Sequence, residues 1–142
     1  MATVYLDEIK PGMSATTART VTEHQVQMFG EATGDMNPVH FDEAFARGTV
    51  FRGRIAHGVL SISFISTVLG MKMPGPGTIF ISATTHFKAP VRIGDTVTAI
   101  CTVREVQPEK RRVYFDCVCK VGETVVVEAE VVVMPPSKHQ KS

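Results

Sequence analysis

An aspartate and a histidine five positions apart, Asp35 and His40, bracket the dipeptide Asn37-Pro38 in the run Gly34-Asp35-Met36-Asn37-Pro38-Val39-His40. A carboxylate and an imidazole brought to one point make an acid/base pair able to move protons near neutral pH. Pro38 disfavours helix at Asn37, so the segment is expected to loop, and a loop can return His40 toward Asp35. Asn37 is expected to hold that turn through its own side chain. A second polar-plus-glycine element, Ile55-Ala56-His57-Gly58, opens a largely apolar run further on. Together the two suggest a tunnel with proton-transfer chemistry at its mouth.

Something must position these groups, and the chain is the size of one domain, 142 residues with 44% hydrophobic and 20% charged. A net charge of +1 gives no electrostatic case for nucleic acid. No run approaches the roughly 20 apolar residues of a membrane span. The first twelve residues lack the apolar core of a signal peptide. Cys101, Cys117 and Cys119 are odd in number and show no framework spacing, so they are expected as reduced core residues of an intracellular, cytoplasmic protein.

The first half reads as helical. Thr22-Glu23-His24-Gln25 has the form of a capping box, followed by Val26, Phe29, Ala32 and Thr33 near helical spacing. Gly34 can close that helix in the left-handed conformation, and Asp42 can cap a short turn through Ala44 and Phe45. Residues 58 to 69 are apolar nearly all round, which predicts a buried helix. Pro74-Gly75-Pro76-Gly77 then breaks the chain.

The second half alternates. Ile79 to Phe87, Val97 to Val103, Val113 to Val121 and Val125 to Val133 read as four strands in hairpin succession, with a tight turn at Gly122-Glu123. They imply an antiparallel sheet with one face to bury, and Ser14 to Val21 could add an edge strand. The only element long enough to cover that face is the helix from Gly58. The expected fold is therefore α+β, a single domain in which a bent antiparallel sheet wraps one buried central helix, over residues 1–136 with a polar tail at 137–142. Such an arrangement is of hot-dog type.

The motifs Gly34-Asp35-x-Asn37-Pro38-x-His40, Ala44 to Ala46, Ile55-Ala56-His57-Gly58-Val59-Leu60, Phe87-Lys88-Ala89-Pro90-Val91 and Gly94-Asp95 resemble the MaoC-like (R)-specific enoyl-CoA hydratases. The pattern departs at position 54, where Arg54 stands in place of an expected proline or small residue. The resemblance implies a hot-dog homodimer that reversibly adds water, syn, to trans-2-enoyl-CoA to give (R)-3-hydroxyacyl-CoA. It assigns the two proton transfers to Asp35 and His40, and to Ser66 a hydrogen bond that orients the aspartate. It implies no cofactor, coenzyme A being part of the acyl-CoA substrate. The enolate-like charge of such a reaction needs donors already in place, and the unpaired N–H groups where the Gly58 helix begins could supply them. Gly58 would let a thioester carbonyl come close.

Other residues carry plainer expectations. His57 is expected to pack or cap at the helix start, and Ser63 and Ser66 could also bond back to carbonyls of their own helix. His24 and His139 look solvated and His86 an ordinary strand residue. Lys110-Arg111-Arg112 could meet the phosphates of coenzyme A but fits a solvated turn better. Asp35, His40 and His57 are plausible ligand types, yet their spacing matches no metal motif, and no metal is expected. Two rivals stand beside the hydratase. One is a (3R)-hydroxyacyl-[acyl carrier protein] dehydratase with the same chemistry; the other is a non-catalytic acyl-CoA-binding module. A hot-dog thioesterase fits less well, since residues 58 to 70 contain no acid.

Overall fold

The computed structural model describes residues 2–138. Most of the predicted tail at 137–142, and His139, lie outside the described residues. Five strands, β1 (Ser14–Thr20), β2 (Ile79–Phe87), β3 (Thr96–Gln107), β4 (Arg112–Val121) and β5 (Thr124–Met134), form one antiparallel sheet. Its order is β1-β3-β4-β5-β2.

Val97, Ala99, Cys101 and Val103 of β3 are buried, as are Val113, Phe115, Cys117 and Cys119 of β4 and Val127, Ala129, Val131 and Val133 of β5. Period-two alternation thus puts one face of the three central strands into the core. The turn at Gly122, with φ 59°, joins β4 to β5 as the sequence suggests. The expected succession of four strands in hairpins is corrected at β2. That strand does not pair with β3; it pairs with β5 and forms the far edge. A bulge between Phe80 and Ser82 breaks the alternation expected across Ile79 to Phe87, and most of the strand is exposed.

α4 (Gly58–Met71) crosses the sheet and packs on β3, with further contacts to β1, β4 and β2. Leu60, Ser61, Phe64, Ile65, Val68 and Leu69 are its buried residues. The expectation of burial on all sides needs correction: Val59, Ser63, Ser66, Thr67 and Met71 are exposed. These positions recur at helical spacing, so one stripe of an apolar helix is left uncovered within the chain. All three cysteines are free and buried in the core. Burial pushes the Cys119 thiol up to about 12, and the neighbouring Cys101 thiol with burial pushes Cys117 up as well.

Three shorter helices lie between β1 and α4: α1 (Glu23–Thr33), α2 (Pro38–Phe41) and α3 (Glu43–Arg47). Only half of the predicted capping box forms. Thr22 accepts from the Gln25 N–H, while the Gln25 side-chain oxygen is buried without a partner. The buried face of α1 is Val26 and Gly30, not Ala32 and Thr33, which are exposed. A Cβ on Gly30 would stand 2.7 Å from the Phe41 ring and 2.8 Å from the Met36 sulfur, so α1 seats the next segment against its own backbone. Gly34 ends α1 at φ 80°, as expected.

Candidate active site

Asp35 follows Gly34, the α1 C-cap, and His40 is the third residue of the next helix. The segment between them is not the loop expected from Asn37-Pro38. Asn37 is an N-cap whose side-chain oxygen accepts from the Val39 N–H at 3.1 Å, and Pro38 opens α2 at the first turn. Proline suits that position, because its missing N–H would have no partner there. The predicted role of the Asn37 side chain thus coincides with a cap, and the turn is a helix start.

His40 is 7% exposed, and its Nδ1–H donates to the Ile55 carbonyl at 2.8 Å. A carbonyl only accepts, so Nδ1 carries the hydrogen and Nε2 is left with a free lone pair. Burial holds the His40 pKa below the ordinary 6.5; the His57 and Arg54 neighbours lower it further, against the Ile55 bond and the Asp35 charge, which raise it. The imidazole is therefore neutral at neutral pH. Asp35 is exposed, and its Oδ1 accepts from the Asn37 N–H at 3.2 Å.

His57 contributes more than the packing expected of it. It is 2% exposed and stacks on His40 with ring centroids 3.9 Å apart. Its Nε2–H donates to the main-chain carbonyl of Asp35 at 2.9 Å. One buried ring thus touches both members of the pair, flanked by Phe29 and Phe41. Its Nδ1 is buried without a partner among the described residues, and the hydrogen on Nε2 is the one that meets the Asp35 carbonyl. Sequence reasoning could have singled out His57 only through its place before Gly58, since a bond across 22 positions leaves no local pattern.

Ligand-type atoms of Asp35, His40 and His57 all lie within 4.8 Å of one another. Two of the four imidazole nitrogens are already engaged by carbonyls. Lone pairs lie in the ring planes, so rings stacked face to face aim poorly at one ion about 2.1 Å from each. The trio suits hydrogen bonding to a small polar molecule better than metal ligation.

Gly58 begins α4, and its N–H has no carbonyl one turn back to receive it. A Cβ at Gly58 would come within 2.9 Å of two Phe87 ring atoms, so glycine here allows β2 to approach the helix start. A cavity of about 260 Å³ opens beside it, with Phe51, Ile55, Ser61, Phe87, Ala89 and Val127 among its walls. A larger hollow of about 330 Å³ on the outer sheet face is rimmed by Asp116, Glu128 and Glu130, a poor wall for an apolar chain. Ser66 lies two turns along α4 on the exposed stripe; among the described residues it makes no hydrogen bond to Asp35. Ser63 bonds back to the Val59 carbonyl. Arg112 donates to the Lys110 and Arg111 carbonyls and so closes its own turn.

Arg54 reaches into the site from behind. Its Nε–H donates to the His40 carbonyl at 2.7 Å, and its Nη2 pairs with Glu23 of α1 at 2.7 Å. The neighbouring Ile55 N–H donates to the Val39 carbonyl, so two consecutive residues hold the α2 backbone.

A five-stranded antiparallel sheet with one long helix across it, and an acid/base pair on a segment beside the helix start, define an α+β domain of the hot-dog class. The MaoC-like domain profile matches residues 7–116, and the chain belongs to that family. An (R)-specific enoyl-CoA hydratase of Rhodospirillum rubrum is 49% identical over 94% of this chain and 93% of its own length. A 3-hydroxybutyryl-CoA dehydratase of Methylorubrum extorquens is 42% identical over 96% of this chain and 87% of its own. Among solved structures, the (R)-hydratase of Aeromonas caviae involved in PHA biosynthesis superposes with a TM-score of 0.86 at 33% identity. It covers 90% of this chain and 98% of that one.

Proposed function

We propose that this protein is an (R)-specific enoyl-CoA hydratase, a hydro-lyase that reversibly converts trans-2-enoyl-CoA and water to (R)-3-hydroxyacyl-CoA. The observation that carries the reading is the convergence of the Asp35 carboxylate and His40 imidazole within 4.8 Å. A water donating two hydrogen bonds of ordinary length spans acceptors about 4.5 Å apart, so a single water fits between them. Similarity to the Rhodospirillum rubrum hydratase over nearly the whole chain supports the substrate class and the (R) product.

With both hydrogens of the water directed at Asp35 and the His40 Nε2, an oxygen lone pair is left to attack C3. That oxygen bonds to C3 as one proton passes to the pair, and the pair returns a proton to C2 on the same face. The transfers balance as net syn addition of water. Negative charge that gathers on the thioester oxygen is met by the Gly58 N–H at the positive end of α4. The acyl chain takes the adjoining cavity, whose walls are largely apolar. No resident cofactor enters this scheme; coenzyme A arrives with the substrate.

The working unit is a homodimer. β2 is an unpaired edge carrying Ile79, Phe80, Ile81 and Phe87, each at least 39% exposed, beside Val59 and Met71 of α4. A long apolar edge of this kind is suited to pairing with a second copy. Ser66 stands on the same uncovered stripe, so any bond it makes to an aspartate would reach across that interface.

Loss of crotonyl-CoA absorbance on mixing with purified protein tests the reaction. Asp35→Asn and His40→Ala should each remove most of the turnover; full activity in either overturns the assigned roles. Rapid oxidation of the product by an (S)-specific dehydrogenase would contradict the (R) outcome. Binding of enoyl-CoA with its conjugated absorbance unchanged would indicate a non-catalytic module.

A further inference from the structure

Arg54 is 19% exposed and bonds at once to the His40 carbonyl and to Glu23, whose carboxylate is 61% exposed. The loop that presents it is itself clamped. The Arg92 guanidinium donates to the carbonyls of Phe51, Gly53 and Arg54, and the Arg92 N–H donates to Asp95. α2 is a single turn with little hydrogen bonding of its own, so its geometry depends on what holds it from outside. Besides Phe41 packed on Gly30 and the His40 ring bond to the Ile55 carbonyl, the main chain is held by the Asn37 cap at one end and the Arg54 and Ile55 N–H bonds at the other.

We propose that Arg54 is a positioning residue for the hydration: its guanidinium, braced on Glu23, fixes the main chain at His40 and with it the reach of the imidazole toward Asp35. This rests on the reading of the site given above. A displacement of about 1 Å in a reacting group can cost up to about a hundredfold in rate, and nothing else donates to the His40 carbonyl among the described residues. The guanidinium is also a fixed cation beside His40, facing it together with Asp35 and His57. Lysine cannot substitute for it, because one ammonium lacks the planar fork that meets two partners in different directions.

The test uses full-length Arg54→Met, Arg54→Lys and Glu23→Gln proteins, with crotonyl-CoA kinetics and an NMR titration of the His40 ring. Arg54→Met should lose about tenfold in kcat with KM unchanged, and the His40 midpoint should move up because a neighbouring cation is gone. Arg54→Lys should lose kcat while the His40 midpoint stays at the wild-type value. Wild-type kcat in both Arg54 variants, or a loss confined to KM, overturns the proposal. Should Arg54→Met fail to fold, Arg54→Lys and Glu23→Gln carry the decision. Glu23→Gln spares the fold and loosens the brace, and unchanged kcat in both rejects the role. The NMR arm does not depend on turnover. A wild-type protein that hydrates nothing, yet shows the His40 shift in Arg54→Met, would sink the hydratase reading and retain the coupling. Normal hydration with a His40 indifferent to position 54 would sink the brace alone.

Discussion

His40 has one nitrogen spent on Ile55 and one free, and its pKa is held down mainly by burial. Hydration needs the free lone pair, so activity should fall as pH drops through a value below 6.5, visible as the acidic limb of kcat against pH. Stability follows the same sign. A histidine kept neutral by the fold contributes fully above the unfolded value near 6.5, and the contribution is lost as pH falls below it. Denaturant midpoints measured on both sides of that value should fall toward the acid side in wild type and fall less in His40→Gln, which has no imidazole to titrate. His57→Phe keeps a ring against His40 but removes the donor to the Asp35 carbonyl. It also removes the buried, unpartnered Nδ1, so the two effects on stability oppose each other. The expected result is a clear drop in kcat with little change in melting temperature. The Asp35/His40 pair was legible from residue types and spacing. The part of His57 was not, because a contact between positions 35 and 57 is made by the fold and encoded in no local pattern.

The elements carry the same division. β3, β4 and β5 were readable because each alternates and connects to the next by a short turn. β2 also alternates in sequence, but its partner lies beyond two other strands, and hairpin logic placed it wrongly beside β3. α2 was hidden by its proline, which reads as a breaker until Asn37 is seen as a cap with Pro38 at the permitted first position. That cap gives an element-scale expectation. Asn37→Ala should cost about 1 kcal/mol of stability, measurable by urea unfolding, and should lower kcat by more than that loss of folded protein explains. Equal losses would mean that the cap serves folding only.

At the scale of the molecule the chain is unfinished along one side. The helix that sequence reasoning expected to be wrapped has an open stripe, and β2 beside it is paired on one side only, with β5. The apolar residues were legible, but composition cannot tell burial inside one chain from burial between two. Ile81→Lys puts a charge into the middle of the exposed edge. If the proposed homodimer forms along this edge, equilibrium sedimentation should show dimer for the wild type and monomer for Ile81→Lys. A wild type that sediments as a monomer would refute this arrangement.

The thiols buried at the centre of the sheet provide a measure of all these variants. With Cys101, Cys117 and Cys119 all buried, and the Cys117 and Cys119 thiols held above their ordinary pKa, an alkylating reagent modifies only chains that have opened. The rate of iodoacetamide uptake is then a clock for unfolding. A substitution that slows catalysis while leaving that clock untouched has disturbed the chemistry and spared the packed core beneath it.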